Sequence, residues 1–131
     1  MTTRERPLSP FFTYRWQYTN TLSILNRLTG LVLSLGLIPL VYWVVAAASG
    51  PEAYAKALEI LGSPVAIFIM VGASFSFFYH LLGGIRHLAW DLGYGFDLRV
   101  ARATGWASFI GALILTAITW VLLAQALGGA A

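Results

Sequence analysis

Three stretches of this chain carry no Asp, Glu, Lys or Arg: residues 28–51, 60–85 and 103–131. Each exceeds the roughly 20 helical residues needed to cross a hydrocarbon layer about 30 Å thick. Of the 131 residues, 59% are hydrophobic and only 10% charged, whereas a soluble domain carries about 25% charged residues. A core of this size cannot hide so large an apolar excess from water. The sequence therefore predicts a single-domain, all-α membrane protein with three transmembrane helices, near 28–49, 63–88 and 103–126, preceded by a surface segment over 1–27. The net charge of +3 belongs to the flanks of these spans, which excludes a nucleic-acid-binding surface. With no cysteine in the chain, disulfides and thiolate-held zinc or iron–sulfur clusters are excluded as well.

The flanking charges predict an orientation. Arg4, Arg6, Arg15 and Arg27 precede the first span, and Arg86, Arg99 and Arg102 surround the second connection. Lys56 is the one base in the first connection, beside Glu52 and Glu59. The positive-inside rule then puts the N-terminus in the cytoplasm and the C-terminus outside. Trp90, Tyr94 and Trp106 mark the inner boundary, and Tyr42, Trp43 and Tyr54 the outer one, as amphipathic rings at headgroup level do. Residues 1–27 lack the continuous apolar core of a signal peptide, so this segment is expected to be retained.

Small residues recur at helical spacing: Gly30 and Ser34 in span one, Gly72, Ser76, His80 and Gly84 in span two, Ser108, Ala112 and Thr116 in span three. Such stripes let helices approach closely in lipid. They predict a bundle, with room for helices of another chain.

Both histidines of the chain fall on span two. His80 precedes Arg86 by six residues, about 9 Å deeper along a regular helix. An ionisable group at that depth marks a cofactor, proton or ion site; the alternative is a neutral histidine hydrogen-bonded to a neighbouring helix. Ser76 and Gly84 flank it on the same face and leave a groove of the kind a flat macrocycle requires. His87 lies two turns on, about 10 Å away, and Asp91 one turn further. A porphyrin ligated by His80 would bring a carboxylate substituent toward His87 or Arg86. The two histidines project the same way from one helix, so they cannot occupy opposite axial positions of one iron. A bis-histidine iron would take its second ligand from another chain. On span one, Ser23 and Arg27 are one turn apart, either as a hydroxyl and guanidinium at the mouth of the bundle or as a helix-start serine and a headgroup-binding arginine.

Arg6-Pro7-Leu8-Ser9-Pro10, Tyr14-Arg15-Trp16, Ser23-Ile24-Leu25-Asn26-Arg27-Leu28-Thr29-Gly30, and His80 followed by Gly84-Ile85-Arg86-His87-Leu88-Ala89-Trp90-Asp91 together resemble the cytochrome b subunit of succinate dehydrogenase, a membrane anchor of respiratory complex II. The resemblance runs from about residue 6 to the third span. It implies a haem b shared with a second membrane anchor subunit, with His80 as this chain's axial ligand and His87 near a propionate. It also implies ubiquinone reduction near the inner face, with Ser23 and Arg27 lining the pocket and Asp91 close by. A flavoprotein and an iron–sulfur subunit would dock on that face, in a bacterial cytoplasmic membrane or an equivalent one. The sequence departs from the family's pattern at Asn26 and Phe11, where histidine is usual. Asparagine keeps hydrogen-bonding capacity but carries no charge.

The function expected is that of the haem-binding anchor of succinate:quinone oxidoreductase, which does not oxidise succinate by itself. The alternatives are the anchor of a quinol:fumarate reductase, a haem-free structural anchor, or a small transporter subunit with His80 in a proton relay.

Overall fold

The computed structural model describes Arg15 and residues 17–128. Arg4, the Arg6–Pro10 segment, Phe11, Tyr14 and Trp16 lie outside the described residues. Four helices follow in order, with no strand among the described residues: α1 over Tyr18–Ser49, α2 over Pro51–Leu61, α3 over Pro64–Asp91 and α4 over Leu98–Gly128. The three uncharged runs fall on α1, α3 and α4, each long and apolar enough to cross a membrane. The chain is a multi-pass, all-helical membrane protein.

Its helices overrun the expected spans. α1 begins at Tyr18 rather than near residue 28, and α4 at Leu98 rather than near 103. Charge marks where hydrocarbon ends, not where a helix must stop, and arginine is a good helix former. Ser23 and Arg27 consequently sit on a helix continuous with the first span. The first connection also contains a helix that the charge pattern does not predict. Gly50, at φ 117°, ends α1 in a conformation that glycine alone adopts readily, and Pro51 opens α2. On α2 Ala57 is fully buried, while Glu52, Lys56 and Glu59 stay exposed. Its Tyr54 ring lies 6.4 Å from that of Trp43 on α1. Ser63 then caps α3, its Oγ accepting from the Ala66 N–H at 3.3 Å.

α3 is the central element, packed against α1 on one side and α4 on the other, while α1 and α4 scarcely meet. The residues buried between the spans are mostly small: Thr29, Ala46, Ser76, Gly83, Gly105, Ala112 and Thr116. Lipid tails are as apolar as leucine, so close packing rather than the hydrophobic effect holds such helices together. The expected stripes are only partly used. Ser76, Ala112 and Thr116 are buried in contacts, and Gly30 abuts His80, but a side chain at Gly72 or Gly84 would meet nothing within 4 Å. The glycine pressed against α1 is Gly83, one position away from the expected stripe.

The α3–α4 turn is fastened by Gly93 N–H to Trp90 O at 2.8 Å and Trp90 Nε1–H to Gly95 O at 3.1 Å. Asp97 Oδ1 accepts from Arg99 N–H at 2.8 Å at the start of α4. These bonds fix the end of α3, where most of the polar residues lie.

Candidate functional site

The polar side chains gather where α1 begins, α3 ends and α4 begins. His80 reaches α1: its Nδ1 is 3.1 Å from the Asn26 carbonyl oxygen and 3.4 Å from Thr29 Oγ1. Gly30, one residue beyond Thr29, leaves room for the ring, since a Cβ there would stand 3.0 Å from His80 Cε1. One turn later on α3, Gly83 takes the Asn26 side chain against its backbone, where a Cβ would stand 2.5 Å from Oδ1. That Oδ1 is buried and has no hydrogen-bond partner among the described residues.

Beyond Gly83 the two basic residues part company. His87 Nδ1 lies 2.7 Å from the Gly83 carbonyl, and its ring meets the Trp90 ring edge-on at 5.1 Å. Arg86 turns to α4, with Nε donating to Thr104 Oγ1 at 3.0 Å and Nη2 to the Ala101 carbonyl at 2.6 Å. Its guanidinium also sits 4.1 Å over the Trp90 ring, a cation–π contact. The arginine thus ties α3 to α4 across the polar end of the bundle.

A cavity of about 180 Å³ lies among these residues, lined by Ser23, Asn26, Tyr79, Arg86, His87 and Trp90, with Gly83 and Gly105 as its thin walls. That is the scale of a cavity of about 150 Å³ that admits a benzene ring. Tyr79 is 3% exposed. Its hydroxyl has no hydrogen bond among the described residues and is not among the sealed polar atoms, so it remains accessible from the cavity. The site can therefore receive a single polar ring and offer it hydroxyl, amide, imidazole and guanidinium groups.

Of the residues singled out in the sequence, Ser23, Arg86 and His87 come together at this cavity. His80 lies beside it on the α1 side, joined to it through Asn26. Arg27 and Asp91 are exposed and do not line it. The sequence reasoning missed Tyr79, Trp90 and Thr29. A signal for the first two was present: Tyr79, Gly83, Arg86 and Trp90 recur at 4-3-4 spacing, a stripe adjacent to the one that His80 and His87 occupy.

Residues 2–119 match the family described as succinate dehydrogenase/fumarate reductase transmembrane subunit. The chain belongs to this family. Its relatives include the succinate dehydrogenase cytochrome b556 subunit of Rickettsia conorii, 38% identical over 118 residues, covering 89% of this chain and 92% of that one. The corresponding subunit of Paracoccus denitrificans is 36% identical, with coverage of 89% and 91%. The mitochondrial cytochrome b560 subunit of Sus scrofa is 37% identical over 125 residues, covering 91% of this chain and 70% of that protein. The match includes every residue lining the cavity as well as His80. Membership in a transmembrane-subunit family agrees with the three apolar spans.

Proposed function

We propose that this chain is the haem b-binding membrane anchor of a succinate:quinone oxidoreductase, contributing scaffold, one histidine to hold the haem and part of a quinone pocket. The observation that carries this reading is the seating of His80, in a family whose relatives are named as cytochrome b subunits. The surroundings fit such a group. The imidazole rests on Gly30, its Nε2 has no hydrogen bond among the described residues, and open space lies over Gly84 one turn away. His80 would hold the iron through Nε2. His87, exposed two turns along, would pair with a propionate; Arg86 is already engaged by α4. When bound, the haem supplies a one-electron carrier beside the cavity. The chain has two histidines, both on α3, so a second histidine ligand would come from another chain, which the family resemblance makes a second membrane anchor subunit.

The cavity suits the ring of ubiquinone or a similar quinone. Ser23 on α1 can donate a hydrogen bond to one ring carbonyl, and Tyr79 on α3 also has a hydroxyl to donate. Arg27 lies one turn past Ser23 on the same helix, exposed and outside the cavity lining; swung to the rim in the assembled complex, its guanidinium would stabilise negative charge developing on the reduced ring. Asp91, at the end of α3, is near enough to the surface to exchange protons with water. Electrons would arrive from an iron–sulfur subunit docked at this end, and from a flavoprotein subunit on which succinate is oxidised. The arginines around the polar end favour the cytoplasmic side of a bacterial inner membrane for it. The family's description also covers fumarate reductases, but the relatives named above are succinate dehydrogenase subunits, which favours succinate oxidation.

The test is a reduced-minus-oxidised spectrum of the purified complex. A b-type signal is expected, lost in His80→Ala and retained, with a changed potential, in His87→Ala. Removing an axial ligand abolishes a coordinate bond, whereas removing an outer partner retunes the site. Equal loss in both variants would undo the assignment. No signal in the unaltered complex would favour a haem-free anchor or a proton relay.

A further inference from the structure

One turn of α1 makes more contact with His80 than packing requires. The Asn26 carbonyl and Thr29 Oγ1 both face Nδ1, at 3.1 and 3.4 Å. A carbonyl oxygen can only accept. The Thr29 hydroxyl could in principle do either, but its own hydrogen is spent on the same Asn26 carbonyl at 2.9 Å. Toward His80 it too presents a lone pair. Both neighbours of Nδ1 are therefore acceptors, so the proton of the neutral imidazole belongs on Nδ1 and the lone pair on Nε2. Thr29 is 3% exposed, which keeps water from competing for these bonds. Gly30 completes the arrangement, because a Cβ there, 3.0 Å from His80 Cε1, would oblige the ring to give by a few tenths of an ångström.

We propose that Thr29, acting with the Asn26 backbone carbonyl, is a positioning residue that fixes the ring orientation and tautomer of His80 and tunes whatever Nε2 binds. The proposal rests on the reading of His80 as an iron ligand. An acceptor on the remote nitrogen makes an imidazole a stronger donor to its metal and so favours the ferric state. Half of that support comes from a main-chain atom that mutation leaves in place, so Thr29 should tune the site rather than create it.

The experiment uses the assembled complex with Thr29→Val, Thr29→Ala and Thr29→Ser, each compared with the unaltered protein by haem content, redox titration and low-temperature electron paramagnetic resonance. Thr29→Val keeps the volume and removes the acceptor. It should retain haem, raise the midpoint potential and shift the low-spin resonance, and Thr29→Ala should do the same if the valine variant assembles poorly. Thr29→Ser should restore both readouts, which a purely packing role would not predict, since serine packs less well than valine. Unchanged potential and resonance in both Thr29→Val and Thr29→Ala would overturn the proposal, as would an equal shift in Thr29→Ser. Failure of the underlying reading looks different: His80→Ala would then keep the haem, whatever Thr29 does. A further check needs no variant. In complex labelled with nitrogen-15 histidine, the remote nitrogen of this chain's ligand should carry an exchangeable proton and be Nδ1; ligation through Nδ1 would refute the tautomer.

Discussion

The two ends of this bundle are built on different plans. At the end where α1 begins, a cavity of about 180 Å³ is surrounded by directional bonds from His80 beside it and from Arg86, His87 and Trp90 in its lining. At the opposite end the same helices, with α2, enclose a cleft of about 830 Å³ lined by Pro39, Trp43, Phe77, Phe78, Trp120 and other apolar side chains. One polar contact between spans is found there, Trp120 Nε1–H to Ser74 Oγ at 3.3 Å. Pro39 interrupts the hydrogen bonding of α1 beside this cleft. In lipid, apolar surface gains little by being covered, so the apolar end can remain loosely closed at small cost. Polar groups have no such freedom, because an unsatisfied one in hydrocarbon is expensive. The polar end is therefore the one tied by directional bonds.

Substitutions at the two ends should separate these plans. The largest effect is expected for Arg27→Leu. Quinone reduction driven by succinate, measured per assembled flavin, should fall about 10²-fold, while an artificial acceptor that takes electrons upstream is still reduced. Arg27→Lys should recover part of the loss. If instead both variants keep their activity per flavin, Arg27 serves only to anchor the helix to headgroups. Ser23→Ala should act in the same direction by about tenfold, the loss of one hydrogen bond to the substrate.

A purely structural comparison comes next. Gly83→Ala drives a methyl group into the Asn26 side chain, while Gly84→Ala places one in open space. The first should cost about 1–3 kcal/mol, read as a lower melting temperature of the purified complex, and the second should leave it unchanged. Equal effects would mean that Gly84 is covered by a partner chain as closely as Gly83 is by α1. The smallest effect belongs to the apolar end. Trp120→Phe removes its one interhelical hydrogen bond and should cost about 0.6 kcal/mol, the usual size for such bonds in a membrane, with quinone reduction unaltered.

The three spans were legible in the sequence because a helix-length run without charge, dense in leucine, valine and alanine, is at home only in lipid. α2 was not, because Glu52, Lys56 and Glu59 in so short a segment, entered through Gly50-Pro51, read equally well as a connecting loop. The site divides along a similar line. His80, His87 and Ser23 announce themselves as polar residues in or beside apolar runs. Arg27 and Asp91 do so too, but they end on the exposed surface, because charge alone does not say which side of a helix faces a neighbour. Asn26 stands out as a departure from histidine, yet what it contributes to His80 is a backbone carbonyl that every residue possesses. Contacts made by main-chain atoms leave no trace in side-chain identity. Tyr79 was hidden by the more conspicuous histidine beside it.

Because α1 runs unbroken from Tyr18 into the first span, Ser23, Asn26, Thr29 and Gly30 are locked in phase. Adding a single residue between Ser23 and Asn26 would turn Ser23 by about 100° and lift it about 1.5 Å, out of the cavity, while the His80 contacts stayed in place. An insertion or deletion between Ser23 and Gly30 would therefore separate two sites that a point substitution only weakens. The helix acts here as a vernier, whose divisions are useful only while none is added or lost.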